Sequence, residues 1–415
     1  MSQKKVPAGI TAGILFNGRK GGFMEFSKNK LSKRIDWVTV ALTLGLAVFG
    51  VICIASATSV GFEEGQSLMA YIGSLFSGNA LRQLIFLIIS IGLAVGVMFL
   101  DYNNIRDFVN YIFWGAVGIL VIVLIFGSRQ RGMTGWFNLP GLNVGIQPGE
   151  FCKVAAIIVF AKEFAHRTER RTIGITRFRE LWPVLWKCGL LAGLVVLQPD
   201  FGTAMIYIAI AMALLFMAKT SFKVLGPLMG GGLACLPLLW LLLTPDQKNR
   251  VYVFLDPTLD PEGAGYNVLR AKAVSSSGGM WGKGLFSTDL LTQRTNYLPE
   301  EHTDFIFSST CEAIGFFGAF LLVAFYVLLI VHLFRLSMRA KDDFGAYLIL
   351  GVAFMLLFHF IENVGMNIGI MPVTGIPLPL ISYGGSNLMT TMVAIGLALN
   401  VDMRRGRNNK LNLEL

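Results

Sequence analysis

The chain has 415 residues, of which 54% are hydrophobic and only 14% charged, with a formal charge of +10 at neutral pH. Its apolar residues come in blocks of roughly 20, the length that crosses a bilayer, which excludes a water-soluble globular enzyme and predicts an all-α polytopic membrane protein. The positive charge calls for no nucleic-acid partner, because the basic residues gather between the apolar blocks, as the positive-inside rule expects of a membrane protein.

Ten windows qualify as spans: 37–56, 82–100, 108–126, 149–165, 182–198, 202–218, 223–243, 305–334, 345–370 and 387–402. They divide the chain into a basic arm over 1–36, a ten-helix membrane domain over 37–402 and a basic tail over 403–415, with one long polar loop, 244–304, between the seventh and eighth spans. Eight lysines and arginines from Lys4 to Arg34 precede the first window, and Arg167, Arg170, Arg171, Arg177 and Arg179 lie between the fourth and fifth. Arg335, Arg339 and Lys341 follow the eighth window, and Arg404, Arg405 and Arg407 the tenth. Ten crossings put all these groups on one side, the cytoplasmic one, so both termini are expected inside and the long loop outside. Arg129 and Arg131 run against this count. The arm has no apolar core of secretory-signal length, and the first span is expected to serve as an uncleaved anchor. The five cysteines fall one to a span, with no disulfide framework or metal-binding CxxC, and the four histidines have no ligand spacing.

In chain order, Asp36-Trp37 opens the first span at the interface, Glu63 and Glu64 sit in a small polar outer connector, and DYNNIRD (101–107) reverses the chain between spans two and three. The next outer connection ends in QPGEFCK, where Pro148 marks a helix start with Glu150 and Lys153 in the first turn. Their i, i+3 spacing places both on one helix face. Two roles fit: a mutually satisfied ion pair holding the helix end, or a polar wall of a substrate cavity. Trp136 upstream reads as an interfacial anchor or as part of that wall. Asp200, in the tight turn Leu197–Thr203, is either a turn former or a second acid facing the same cavity. Span seven carries Gly230, Gly231, Gly232, Pro227 and Pro237, which suits close packing or a kinked helix.

The long loop holds two Asp-Pro steps. Proline keeps its predecessor out of the α region, so Asp256 and Asp260 are expected on extended backbone, where a carboxylate can be aimed. After it, Thr303 and Asp304 are placed to cap span eight, and Glu312 follows Asp304 by eight residues on a similar face. Glu312 and Glu362 read as internal hydrogen-bond partners. The last outer segment, MPVTGIPLPLISYGGSN, is uncharged and rich in proline. Irregular backbone at membrane depth must be buried or line a cavity, so this segment is expected to plug inward.

These residues carry a resemblance. Across nearly its whole length the chain resembles the SEDS proteins (shape, elongation, division and sporulation), most closely the RodA branch. The strings are QPGE with Lys153, QPDFGT at 198–203, DPEGAGYN at 260–267, GGMWGKG at 278–284, LPEEHTDFIF at 298–307 and NVGMNIGIMPVTGIPLPLISYGGS at 363–386. Departures are QPGE where the family has QPSE, Gly135-Trp136 for Arg-Trp, Arg270-Ala271 for Gln-Ser, Ser275-Ser276 for Ile-Gly, and Cys311–Gly315 for AEELG.

The resemblance implies polymerisation of lipid II, the undecaprenyl-pyrophosphate-linked disaccharide-peptide, in the bacterial cytoplasmic membrane, with a class B penicillin-binding protein as partner. It implies that Asp260 is the essential loop aspartate, with Asp256 second, and that Glu150 and Lys153 are the family's acid–base pair. In this reading Asp260 takes the proton of the attacking sugar hydroxyl. Lys153 leads the cations for the departing pyrophosphate, ahead of Arg270, Lys272, Lys283 and Arg294. No cofactor is certain, and a divalent cation, Mg or Mn, is admissible. Trp136, Lys283, His302 and Asp304 complete the candidate substrate-binding set, His302 alternatively bonding the loop. A lipid II flippase, a division or sporulation paralogue of the same polymerase, and a non-enzymatic scaffold are the competing readings. The flippase is disfavoured by the lack of an internal repeat.

Overall fold

An apolar run in a bilayer finds no water for its peptide groups, so each run closes its hydrogen bonds within a helix. The computed structural model describes residues 34–58, 67, 73, 78–130, 133–139, 144–168, 174–261, 263–293 and 297–405. Most of the basic arm, Glu63 and Glu64, Arg131, Arg170, Arg171, Arg294 and the tail beyond Arg405 lie outside the described residues.

The helices are α1 (Trp37–Thr58), α2 (Gly78–Phe99), α3 (Tyr102–Asp107), α4 (Val109–Phe126), α5 (Pro148–Thr168), α6 (Trp182–Val196), α7 (Phe201–Met217) and α8 (Phe222–Leu242). After them come α9 (Pro245–Leu255), α10 (Ala264–Ser277), α11 (Ile306–Ser337), α12 (Asp343–Ile368) and α13 (Gly385–Met403). Each of the ten windows falls on one helix, with α3, α9 and α10 extra. Among the described residues, α1, α2, α4, α11 and α12 are long and apolar enough to cross a membrane, while α6 and α7 are shorter apolar helices. The protein is a mostly helical, polytopic membrane protein.

α12 is the centre. It packs against α5, α7, α11 and α13, and 67% of its apolar window is buried, against 22% for α2, which turns Leu81, Ile85 and Ile88 outward. α8 runs through Pro227 and Pro237 and stands largely exposed after Val224 and Leu225. All five cysteines are free, four of them buried and Cys235 exposed.

Two connections hold structure that the hydropathy pattern does not announce. Between α4 and α5 lies a three-stranded antiparallel sheet, β1 (Ser128–Gln130), β2 (Met133–Leu139) and β3 (Val144–Ile146), paired Ser128 with Trp136 and Phe137 with Ile146. Aromatic residues and threonine suit a pleated ribbon, and Gly145 lets it close, since a Cβ there would press 2.9 Å from the Trp136 ring.

The long loop is also built. Thr244 and Gln247 form a reciprocal cap at the start of α9. Asp256 (φ −145°, ψ 99°) then lies on extended backbone, while Asp260 (φ −142°, ψ 68°) is kept out of the α region by its proline but falls short of the extended one. α10 packs on α11 and α12, and Ala271, Val274, Leu298 and Phe305 form a small core of their own beneath it, with Val373 against them.

The loop is fastened to α11 at a break in that helix. Gly315 (φ 69°, ψ −172°) interrupts α11, and segment 278–284 satisfies the freed groups. Lys283 N donates to Glu312 O at 3.0 Å and Gly284 N to Ala313 O at 2.9 Å, while Phe316 N donates back to Gly279 O at 2.9 Å. A Cβ on Gly278, Gly282 or Gly315 would overlap the facing backbone, while Gly279 and Gly284 of GGMWGKG hold positive φ (57° and 98°) beside open space. The Glu312 carboxylate, fully buried, closes the knot by accepting from Lys283 Nζ (2.6 Å), Leu291 N (2.6 Å), Ser277 Oγ (3.0 Å) and Thr292 (N 3.3 Å, Oγ1 3.2 Å).

At the other end of the loop, capping of α11 by Thr303 and Asp304 is corrected. The N-cap is Phe305, with no side-chain cap. Thr303 Oγ1 instead donates to Glu300 Oε2 at 3.0 Å, and Ser308 N donates to Asn367 Oδ1 of α12 at 3.0 Å. A neighbouring helix supplies the acceptor that a local cap otherwise would. Asp304 therefore lies outside the helix and shares no face with Glu312. The final outer segment plugs inward as expected, with Ile376, Leu378, Leu380 and Ile381 buried.

Gly315→Ala should disable the fastening, since this backbone region is essentially restricted to glycine at a strain of about 1–3 kcal/mol before any overlap is counted. The expected outcome is a lower thermal midpoint and faster proteolysis between α10 and α11 in detergent. A midpoint equal to wild type would mean that the break is not held by these contacts.

Candidate functional site

Pro148 supplies a fixed φ for the first turn of α5, whose amide it does not need to donate. That turn places Glu150 and Lys153 on one face, both buried, and they pair at 2.8 Å. Charges this far from water require further partners, and the surrounding helices provide them. Asn387 Nδ2 of α13 donates to Glu150 Oε2 at 2.9 Å, and His359 Nε2 of α12 lies 2.9 Å from Lys153 Nζ. Gln147 N donates to Ser386 Oγ at 3.0 Å, which fastens the start of α5 to α13.

These groups face a cavity of about 280 Å³. Its walls are the sheet (Met133, Trp136, Gly145), the starts of α5 and α7, and the inward plug from Thr374 to Pro377 with Tyr383 to Asn387. Lys153 is the one lysine or arginine among the described lining residues, against Glu150, Asp200 and Asp304. Asp200 takes both of its sequence roles. It caps α7 by accepting from Thr203 N at 3.0 Å, and it receives Gln147 Nε2 at 2.9 Å on the cavity side. Burial pushes its carboxyl above the ordinary value, against the pull of Thr203.

The plug is held by polar groups of α12. Asn363 Nδ2 donates to Asp304 O at 2.9 Å and Ile376 O at 2.8 Å, and Thr374 Oγ1 donates to Glu362 Oε1 at 3.0 Å. Glu312 and Glu362 are thus internal partners, as the sequence suggested.

The structure therefore brings together Glu150, Lys153, Trp136 and Asp304, and Trp136 is a cavity residue whose Nε1 has no partner among the described residues. His302 stands beside the cavity: its carbonyl accepts from Tyr383 N at 2.9 Å, and its ring lies 5.5 Å from that of Tyr383. Lys283 is elsewhere, tied to Glu312 in the loop knot. Asp256 is exposed and caps its own turn, where the Thr258 hydroxyl and amide hold its carboxyl below the ordinary value. Arg270 stacks over Tyr297 at 4.2 Å and Tyr266 at 4.9 Å.

Asp260 does not line the cavity. Its carboxylate accepts from Asn249 Nδ2 of α9 at 2.7 Å and from Gly263 N at 3.0 Å. Arg250, the next residue of α9, donates to Val373 O at 3.3 Å, one residue from the cavity wall at Thr374. The loop acid and the cavity are linked through α9.

Among the described residues no three His, Cys, Asp or Glu side chains converge as a metal set. The oxygens of Glu150 and Asp200 are already engaged by protein donors. No step below uses a metal.

The family model described as "Cell cycle protein" (FTSW_RODA_SPOVE) matches residues 36–407. The chain belongs to this family. It is 32% identical over 374 residues, 88% of its length and 92% of the relative's, to the "Probable peptidoglycan glycosyltransferase FtsW" of Trichlorobacter lovleyi. It is 35% identical over 301 residues, 71% of its length and 78% of the relative's, to the "Peptidoglycan glycosyltransferase MrdB" of Escherichia coli K12. Among solved structures it resembles Rod shape determining protein RodA of Thermus thermophilus, with a TM-score of 0.63, 26% identity and coverage of 90% of this chain and 98% of that one. A chain described under "Structural coordination of polymerization and crosslinking by a peptidoglycan synthase complex" gives a TM-score of 0.71 at 27% identity, covering 90% and 99%.

His359, Asn387, Gln147 and Ser386 escaped assignment from sequence. The available signal was a histidine inside an apolar window and the polar residues that follow YGG.

One electrostatic feature beside the cavity is testable. Burial, with Glu300 and Glu312 nearby, pushes the Glu301 carboxyl up to about 8. Its folded-state value thus exceeds the unfolded one of 4.5. Ionisation is resisted only in the folded state, so stability falls as pH rises between those two values. Glu301→Gln removes this dependence, and its thermal midpoint should decline less than wild type from roughly pH 6 to pH 8.5. Parallel pH profiles would refute the assignment.

Proposed function

We propose that this chain is a peptidoglycan glycosyltransferase that joins lipid II units into glycan strands at the outer face of the cytoplasmic membrane. The observation that carries this reading is the buried Lys153 ammonium, oriented by two side chains at the wall of a cavity framed by apolar helices. A lipid-linked substrate keeps its tail in the bilayer and its sugars in water. A cation at that boundary meets the diphosphate between them. The peptidoglycan glycosyltransferase names of the FtsW and MrdB relatives support the same activity.

The chemistry divides between two places. The acceptor sugar's hydroxyl attacks the anomeric carbon of the donor, the bond to the lipid diphosphate breaks, and the configuration inverts. Asp260, its carboxylate held by Asn249 and Gly263, takes the hydroxyl proton as the new bond forms. The departing diphosphate gains charge, and Lys153 faces it with a preorganised ammonium. Trp136 and Asp304 contact the sugars or their peptide. Asp256, exposed at its own cap, takes no part. Both termini are cytoplasmic, and a class B penicillin-binding protein crosslinks the product. The partnership is supported by the likeness to a chain of a peptidoglycan synthase complex, and the cytoplasmic termini by the positive-inside rule. The string MPVTGIPLP supports the elongation branch, although relatives of both branches match.

Glycan synthesis from purified lipid II by the full chain with its partner in liposomes tests the reading. Asp260→Asn should lower the rate by about 10²–10⁴-fold, while Asp256→Asn stays near wild type. Equal rates for Asp260→Asn and wild type would remove the base. Translocation of labelled lipid II without any polymer would replace the reading with a flippase.

A further inference from the structure

Lys153 is only 1% exposed, so its partners rather than water set its direction. An ammonium has three N–H donors and no acceptor. It donates to Glu150 Oε1 at 2.8 Å, and the His359 Nε2 at 2.9 Å must therefore be an acceptor. The histidine proton then sits on Nδ1, which is buried and finds no partner among the described residues. His359 itself is 2% exposed on α12, the most thoroughly packed helix. A side chain kept there for packing alone gains nothing from an orphaned N–H, which leucine would avoid.

A neutral acceptor does something that a second carboxylate would not. Glu150 alone fixes one N–H and offsets the charge, while its other oxygen is held by Asn387. His359 fixes a second N–H without cancelling any positive charge. The third N–H is left for the cavity that Lys153 lines.

We propose that His359 is a positioning residue for diphosphate recognition: it orients the Lys153 ammonium so that its remaining N–H meets the diphosphate oxygens of the lipid-linked substrate. The inference rests on the proposed polymerase reading for the identity of that substrate, and it concerns binding of the diphosphate before any chemistry.

The test compares wild type with His359→Gln, which retains a neutral acceptor, and His359→Leu, which fills the space without one. Three quantities are read on the full-length protein: affinity for farnesyl diphosphate by direct titration, kcat and KM for lipid II polymerisation with the partner, and the thermal midpoint. His359→Leu should lose roughly ten- to a hundredfold in farnesyl diphosphate affinity, the range of a charged hydrogen bond, with a midpoint lowered by the unmet Lys153 N–H that His359→Gln restores. His359→Gln should recover most of that affinity, and the same order should appear in KM. Unchanged affinity in His359→Leu overturns the proposal, as does a loss shared equally by both variants together with a lowered midpoint, which marks a packing role. Wild type that fails to bind farnesyl diphosphate also overturns it. Wild type that binds through His359 yet makes no polymer upholds the positioning role and overturns the polymerase reading.

Discussion

The structure depends on an ion pair placed where water is scarce. Burying an ammonium and a carboxylate costs several kcal/mol per ion unless their remaining hydrogen-bonding capacity is met. Around Glu150 and Lys153 it is met by α12 through His359 and by α13 through Asn387. That demand selects which helices stand together. α12 must be central, α13 must present the residues after YGGS at the start of α5, and the plug must run between them. The cavity is the space these requirements leave.

A second constraint acts on the loop. A polar segment of this length would wander on the outer surface if only its ends were tied. Here the break at Gly315 opens helical hydrogen bonds inside α11, and segment 278–284 closes them. The glycines serve close approach of two backbones, and the buried Glu312 gathers Lys283 and the turn at Leu291–Gln293 onto the same point. Lys283 looked like a substrate cation because its motif is polar and outside. Its place in the knot follows from Glu312, whose full burial demands a cation nearby.

How much was legible in the sequence follows from the range of each signal. Apolar windows report a local property, burial in lipid, and all ten fall on helices. The Asp-Pro steps and Pro148 constrain their own neighbours, and the backbone at Asp256 and α5 agrees with them, while Asp260 leaves the α region without reaching the extended one. Glu150 with Lys153 was readable from i, i+3 spacing. What could not be read was set by distant partners. Asp304 looked like a cap because it precedes an apolar run, but Asn363 and Asn367 hold its carbonyl from another helix. For Trp136 the sequence left two roles open, interfacial anchor or cavity wall, because the hairpin that turns it inward has no hydropathic signature. His359 was visible as an anomaly only, since its partner lies 206 positions away.

The separation of Asp260 from the cavity is itself a consequence of how the two parts are fastened. Lys153 belongs to the packed core of α5 and α12, and its position is fixed by contacts on several sides. Asp260 lies between two fastenings of the outer module, Arg250 to Val373 on one side and the α10–α11 knot on the other. α8 leads into that module while packing little along its length. What separates Asp260 from Lys153 is therefore set by contacts away from both side chains, in the plug at Val373 and at the break in α11.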